Sequence, residues 1–336
     1  MKLKRYYYGA MGLLPMQLLL KTSPANSVFP YHHIVSDESV PHIINLYPYK
    51  NARQFRQDLD FLLKYFEPVT PSDLVHYIQL NQKLPEKKFL LSFDDGFREI
   101  NDVIVPILHS KGIPAIFFIN PAFIDNKQMF YRNKISIILG VLQNRNSSIL
   151  KQIAKILSVP NESFDDLKSA LLSIRHTDKF RLDEIAQILD ISIDDYLKKN
   201  RPWLTTEELK KISSMGFCIG AHSWDHPYYQ SVSLNDQVKQ TIESCAYVRQ
   251  FEPQVTTFSF PHFDKGLSQQ LFDELLKPEY GIDLLFGIQN QKNEIHNRVV
   301  HRFNCERPDV AIGKQIKGVF MYSHIQKILN KQTIIR

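Results

Sequence analysis

The stretch Lys88-Phe-Leu-Leu-Ser-Phe-Asp-Asp-Gly96 decides the fold. Its apolar run over residues 88–93 predicts a buried β-strand that stops abruptly at Asp94-Asp95-Gly96. A helical pattern over residues 103–111 follows, and the next apolar run, AIFFI, covers residues 115–119. A strand, a helix and a second strand in this order predict a βαβ unit with parallel strands.

Two later strands carry the same pattern of an apolar run that ends in chemically capable side chains. FCIGA at residues 217–221 leads into His222, and VTTFSF at residues 255–260 leads into Pro261-His262. Active sites of (β/α) barrels are built at the carboxyl ends of their strands. The sequence therefore predicts an α/β fold with its site at that end of the sheet.

Between these strands the pattern changes to helices. Apolar residues recur at helical spacing alone over about residues 127–202, which predicts a helical insertion. It interrupts a predicted barrel domain at residues 28–310, which lies between an N-terminal extension (1–27) and a C-terminal helical tail (311–336). Such an insertion forms a lid or an acceptor-binding wall in some enzymes, and a spacer or dimer contact in others.

The segment His222-Ser-Trp-Asp-His226 predicts a metal site, because on one helical turn two imidazoles four residues apart can face a single ion. Burial of the charged Asp94 and Asp95 at the end of an apolar strand costs free energy unless they are paired or coordinate a cation. Two histidines and one carboxylate leave coordination positions of a metal ion open for water and substrate. The second carboxylate is then available as a base. The alternatives are histidines that cap or pack, and an Asp pair that caps a helix.

These two segments resemble the motifs of a known family. Residues 92–96 (SFDDG) resemble the T/S-F-D-D-G motif, and residues 222–226 resemble the H-S/T-x-x-H motif, of the polysaccharide deacetylase family (NodB-homology domain, carbohydrate esterase family four). The resemblance implies a distorted (β/α) barrel, with Asp94 as general base. It also implies Asp95, His222 and His226 as ligands of a divalent metal, usually zinc.

A third motif of the family resembles residues 258–262 (FSFPH). In the family, an aromatic residue after the proline forms part of the substrate groove, and its backbone N–H donates a hydrogen bond to the oxyanion of the reaction. The resemblance therefore assigns Pro261 and His262 to substrate and oxyanion binding. This sequence departs from the pattern, since His262 stands at the aromatic position and the usual arginine of the motif is missing.

Residues 29–35 (FPYHHIV) resemble the segment that opens circularly permuted members, such as those modifying poly-N-acetylglucosamine. In those permuted enzymes this segment supplies the histidine that acts as general acid. The resemblance implies His32 in this role, with His33 as its competitor and His301 as a less favoured third candidate.

Arg302 and Glu306 resemble a late arginine-containing segment of the permuted enzymes. Two roles are open for Arg302. It could contact substrate or oxyanion, or it could orient a catalytic carboxylate through a buried ion pair.

The predicted function is hydrolytic removal of N-acetyl groups from an amino-sugar polymer or a glycan intermediate. In this hypothesis a metal-bound water is the nucleophile, Asp94 is the base and His32 is the acid. Two alternatives stay open. One is a non-catalytic glycan-binding protein on the same barrel, and the other is a metal-dependent amidase for a small non-sugar amide.

The charge pattern argues against nucleic acid as the partner. The net charge of +6 is spread along the chain without a dense basic run. The cysteines Cys218, Cys245 and Cys305 are sparse and odd in number, which predicts reduced thiols and favours a cytoplasmic location.

The N-terminus faintly resembles a signal peptide, since Lys2, Lys4 and Arg5 precede an apolar stretch over residues 9–20. Pro15 interrupts that stretch. We therefore predict a short helix that packs on the domain or contacts a membrane surface peripherally.

Overall fold

The computed structural model describes residues 7–9, 11–24, 27–82 and 85–336. The chain divides into two compact units. The first comprises residues 1–37, 49–121 and 206–336, and the second comprises residues 38–48 and 122–205.

The helices and strands follow in chain order. The helices are α1 (Met16–Thr22), α2 (Ala52–Tyr65), α3 (Pro71–Gln79), α4 (Val105–Ser110), α5 (Tyr131–Leu142), α6 (Ser147–Leu157), α7 (Phe164–Ser173), α8 (Arg181–Ile188), α9 (Ile193–Asn200), α10 (Thr206–Ser214), α11 (Leu234–Val248), α12 (Gln269–Leu275) and α13 (Ile312–Ile328). The strands are β1 (Pro30–His32), β2 (Glu67–Pro68), β3 (Lys88–Phe89), β4 (Leu91–Phe93), β5 (Ala115–Ile119), β6 (Cys218–Ala221), β7 (Thr257–Ser259), β8 (Leu284–Gly287), β9 (Asn293–Glu294), β10 (Val299–His301), β11 (Phe303–Asn304) and β12 (Thr333–Ile334).

The central sheet of the first unit has the strand order β10-β8-β7-β6-β5-β4-β1-β11, and its neighbouring strands are parallel. Only Arg302 separates β10 from β11 in the chain, yet β10 pairs with β8 and β11 pairs with β1, at opposite edges of the sheet. One extended segment therefore joins both edges. The sheet curves into a nearly closed barrel, which confirms the predicted distorted (β/α) architecture.

The register of the strands decides which side chains share a face. Tyr31 on β1 pairs with Ser92 on β4, and His32 pairs with Phe93. Paired residues of a parallel sheet point to the same side, and successive residues point to opposite sides. Tyr31 and Ser92 therefore share one face of the sheet, while His32 and Phe93 share the other.

An apolar core lies on the face that carries Ser92. Its buried members come from β3–β5, β8, α3 and the segment before α3, and they are Val69, Leu74, Leu90, Ile116, Phe118, Leu284 and Phe286. A capping box at the start of α3 supports this element, because Thr70 accepts from the Asp73 N–H and Asp73 accepts from the Thr70 N–H.

The second unit contains the helices α5–α9, in the stretch where the sequence predicts helices alone. It also includes residues 38–48, which sequence reasoning left in the barrel. Within this unit the Asn133 side chain donates to the His42 carbonyl at 2.8 Å, and Ser136 donates to the Pro41 carbonyl at 2.7 Å. Side chains of α5 thus hold a segment that lies far from them in sequence.

The predicted N-terminal stretch contains α1, whose buried side chains are Met16, Leu19 and Leu20. Lys2, Lys4 and Arg5 lie outside the described residues. In the part of the chain that is described, no helix combines the length and the apolar character needed to cross a membrane.

Candidate metal centre

The candidate site is assembled at the carboxyl ends of neighbouring strands. Asp94 and Asp95 directly follow β4, and the Asp94 N–H still donates to the His32 carbonyl of β1 at 2.9 Å. His222 directly follows β6, and Ser259 is the last residue of β7. The parallel arrangement brings these positions to the same edge of the sheet.

The segment between the two histidines is not the helical turn that the sequence predicted. Residues 222–228 form a loop with a bend, and Ser223 and His226 both have left-handed backbone conformations, at φ 67° and 61°. Asp95 and His262 are also left-handed, at φ 76° and 57°. Such conformations cost free energy for residues other than glycine, and they cluster at functional sites.

Asn120 holds this loop in place. Its buried side-chain amide donates to the carbonyl oxygens of His222 and of Ser223, the latter at 3.1 Å. Sequence reasoning missed Asn120, although a polar residue directly after the apolar strand β5 repeats the signal that marked Asp94 and His222.

The three predicted metal ligands converge on one another. Asp95 Oδ1 lies 3.2 Å from His226 Nε2 and 3.6 Å from His222 Nε2, and the two Nε2 atoms are 3.2 Å apart. All three side chains are buried. Among the described residues, this is the group of His, Cys, Asp and Glu side chains with a geometry that could hold a metal ion.

The hydrogen bonds of His222 fit it to a metal. Its Nδ1 donates to the Ser259 carbonyl oxygen at 2.8 Å, so Nδ1 carries the proton and the Nε2 lone pair faces Asp95 and His226. Burial lowers the pKa of His222 to about 4. The imidazole is therefore neutral, which is the form that binds a metal ion.

Asp94 has a different partner from its neighbour Asp95. Both of its oxygens accept hydrogen bonds from the Arg302 guanidinium, at 2.7 and 2.9 Å. The same guanidinium donates to the hydroxyls of Ser92, at 2.8 Å, and Ser259, at 2.5 Å. Arg302 is thus committed to orienting Asp94.

Aromatic rings enclose this ion pair. The guanidinium carbon of Arg302 lies 4.7 Å from the ring centre of Tyr31 and 5.1 Å from that of Phe118. Burial raises the pKa of Asp94, but the charge and the hydrogen bonds of the Arg302 guanidinium outweigh it and hold the pKa below the ordinary value. The carboxylate is therefore ionised at neutral pH.

His33, whose side chain is 23% exposed, forms a second ion pair next to the site, with Glu306. Its Nδ1 lies 2.8 Å from Glu306 Oε2, and Glu306 Oε1 accepts from the backbone N–H groups of His33 and Ile34. Burial lowers the pKa of His33, but Glu306, Asp95 and Asp94 raise it more, to about 10. His33 is therefore protonated at neutral pH and is within electrostatic reach of both aspartates.

His32, the preferred candidate for the acid, lies elsewhere. Its ring stacks on Phe93 and packs edge-on against Phe55, and its nitrogens have no hydrogen-bond partner among the described residues. Burial and the Lys50 ammonium hold the pKa of His32 well below its usual value. Strand β1 ends at His32, and the pairing of His32 with Phe93 places its ring on the face opposite Tyr31 and Ser92.

His301, the third candidate, also lies apart from the metal ligands. Its Nε2 is 3.3 Å from Glu294 Oε2, and its Nδ1 is 3.8 Å from Asp264 Oδ2. Arg336 bridges these two carboxylates at 2.7 Å from each. This buried network makes His301 part of a separate ion-pair cluster.

His262, from the third motif, lies beside a predicted ligand. Its ring is perpendicular to that of His226, with 4.4 Å between the ring centres, and it stacks on Tyr228 at 3.5 Å. Pro261, which precedes it, is buried. The predicted substrate-binding and ligand segments therefore meet in this structure.

A family model described as polysaccharide deacetylase matches residues 81–266, more than half of the chain. A comparison with curated proteins found no match.

Solved structures share the fold. The deacetylase PplD from Streptococcus pyogenes, in complex with acetate, is similar with a TM-score of 0.55 and 12% identity, over 88% of this chain and 99% of that chain. IcaB from Ammonifex degensii has a TM-score of 0.53 and 17% identity, over 89% and 98%. A de-N-acetylase from Aggregatibacter actinomycetemcomitans has a TM-score of 0.52 and 15% identity, over 87% and 99%. With the family match over residues 81–266, the chain belongs to the polysaccharide deacetylase family.

Proposed function

We propose that the protein removes N-acetyl groups from the amino sugars of a polymer or glycan intermediate by zinc-dependent hydrolysis. One observation carries the proposal: a buried Asp95-His222-His226 set lies beside a second carboxylate, Asp94, which Arg302 holds outside that set. One group of side chains is thus suited to binding a cation. The other carboxylate is suited to taking a proton.

Asp95, His222 and His226 would hold the ion. They supply one carboxylate and two imidazole nitrogens, a donor set that zinc accepts and that leaves room for substrate. When bound, the ion would polarise the acetyl carbonyl and lower the pKa of a water molecule.

Asp94 acts as the general base. Its low pKa keeps it ionised, and the two-pronged Arg302 contact fixes the direction of its oxygens. It accepts the proton of the attacking water. The Arg302 contact also explains how this chain functions without the arginine of the third motif, because β10–β11 supply one.

We assign the general acid to His33 instead of His32. A general acid must carry a proton to donate, and the Glu306 carboxylate keeps His33 protonated at neutral pH. His33 donates this proton to the amine that leaves, and the backbone N–H of His262 stabilises the charge that develops on the carbonyl oxygen. The products are acetate and a free amino sugar.

The test measures acetate release from chito-oligosaccharides together with the zinc content of each variant. We expect Asp94→Asn to retain zinc and to lose activity by about a hundred- to ten-thousandfold. His222→Ala, the matched control for the ligand set, should lose both zinc and activity. Undiminished acetate release by Asp94→Asn would refute the base assignment.

The same assay separates the alternatives. A glycan-binding protein on this barrel would release no acetate even when it is loaded with zinc. An amidase for small amides would cleave a simple acetamide and leave the oligosaccharide intact.

A further inference from the structure

The two ends of the chain share a basic charge pattern. Residues 1–36 contain no Asp or Glu, and neither do residues 310–336. Each segment nevertheless carries several cations. One internal stretch, residues 126–161, lacks acidic residues as well, and the chain as a whole has a modest net charge of +6.

The fold brings the two segments together. The Thr22 hydroxyl of α1 lies 3.3 Å from His324 Nε2 of α13, and the Lys317 ammonium of α13 donates to the Gly12 carbonyl at 3.2 Å. Helix α1 therefore lies against α13. Neither of these two helices contains Asp or Glu, so together they form a surface without acidic side chains of their own.

This surface also exposes aliphatic side chains. Leu18 of α1 is 54% exposed, and Ile328 of α13 is 80% exposed. Leu18, Lys21 and Thr22 share one face of α1, since they are three and four residues apart. Thr22 is the residue that reaches His324, so this face of α1 adjoins the end of α13.

We define the basic apolar patch by six exposed residues of these two helix ends. They are Leu18, Lys21, Ile325, Lys327, Ile328 and Leu329.

We propose that the basic apolar patch docks the enzyme on an anionic lipid surface. Exposed aliphatic side chains gain free energy when they enter the boundary between headgroups and acyl chains, and lysines beside them gain from anionic headgroups. A nucleic acid would use the lysines but offers no apolar phase for Leu18 and Ile328. The combination of the two features therefore favours lipid as the occupant.

The experiment is flotation of the full chain with vesicles of phosphatidylcholine, with and without phosphatidylglycerol, at low and high salt. We expect binding to the anionic vesicles that weakens as salt rises. Ile328→Glu should lower the vesicle partition coefficient by on the order of tenfold. The matched control is Leu80→Glu, at a leucine that is 51% exposed at the end of α3, and it should bind like the wild type.

A second pair of variants tests the charges. Neutralising Lys21 and Lys327 to Gln should weaken vesicle binding by about fivefold per lysine. Neutralising the exposed Lys198 and Lys199 of α9 in the same way should change nothing. Thermal unfolding of each variant shows that it is folded, and the readout does not depend on deacetylase activity.

Three results would overturn the proposal. Equal binding to vesicles with and without phosphatidylglycerol would show that anionic headgroups do not attract the protein. Equal binding of Ile328→Glu and Leu80→Glu would show that the basic apolar patch is not the binding surface. A wild-type dimer in sedimentation that Ile328→Glu converts to a monomer would identify a second copy of the chain as the occupant.

Discussion

At the scale of residues, Asp94 and Asp95 show how neighbours in sequence acquire different chemistry. Asp95 turns towards two imidazoles through a left-handed backbone, whereas Asp94 continues the direction of β4 and meets Arg302. Their carboxyl groups have the same intrinsic pKa. Only the position of a guanidinium and of two imidazoles distinguishes a proposed base from a proposed ligand.

The choice between His32 and His33 gives a prediction about catalysis. We expect His33→Gln to lower kcat by about a hundred- to ten-thousandfold, because the leaving amine loses its proton donor. His32→Phe should keep most of the activity, since the His32 ring only packs on Phe55 and Phe93. Steady-state acetate release measures both. Full activity of His33→Gln would show that His33 is not the general acid.

The pairing of His33 with Glu306 predicts a pH dependence. An acid must be protonated, so activity should fall as pH rises through the pKa of His33, which Glu306 holds at about 10. In Glu306→Gln the attraction is lost while burial still lowers the pKa, so the alkaline limb of kcat/KM should move to lower pH. A pH–rate profile measures this shift. An unmoved alkaline limb in Glu306→Gln would contradict the pairing.

The same pair contributes to stability in a defined pH range. Because the folded pKa of His33 lies above the unfolded value near 6.5, the stabilisation is complete below about pH 6.5. It decreases as the pH rises towards about 10.

At the scale of elements, the alternation of strands decides which side chains reach the site. β1 and β4 are in register, so Tyr31 and Ser92 contact Arg302 while His32 and Phe93 stack on the opposite face. The loop after β6 follows a different rule. Its left-handed residues, and not a helical turn, direct His222 and His226 to the same point.

Strand β6 also requires close approach of its neighbours, which predicts the effect of a methyl group at Gly220. A Cβ at this position would lie 2.5 Å from Thr257 Oγ1 and 2.6 Å from the Phe118 ring. We expect Gly220→Ala to lower the free energy of unfolding by about 1–3 kcal/mol, through overpacking. Urea denaturation measures the change.

Gly9 offers the control for this prediction. A Cβ there would meet no atom within 4 Å, so Gly9→Ala should not lower the stability. Equal stability of the two variants would show that the interior adjusts to the methyl group.

At the scale of the whole molecule, closure of the barrel assembles the site. The segment from β10 to β11 pairs with both edges of the sheet, and this places Arg302 against Asp94, 208 residues away in the chain. The site residues at 33, 94–95, 222–226, 259–262 and 302–306 therefore depend on one closed sheet.

Because the proposed ligands come together only in the folded chain, zinc should stabilise the fold. At free zinc a hundredfold above its dissociation constant, we expect about 2.7 kcal/mol of added stability, seen as a higher Tm that a chelator reverses. His226→Ala should abolish this shift. His109→Ala, at an exposed histidine of α4, should retain it, and a shift that persists in His226→Ala would place the zinc elsewhere.

The sequence by itself determined the α/β barrel class and the residues Asp95, His222 and His226 that the structure brings together. Those signals are local, since an apolar run that stops at polar residues marks the end of a strand wherever it occurs. Only the tertiary structure decided that His33 and not His32 pairs with Glu306 within electrostatic reach of the aspartates, that Arg302 holds Asp94, and that residues 38–48 join the helical unit. These facts depend on the register and closure of strands far apart in the chain, which no local pattern of residues encodes.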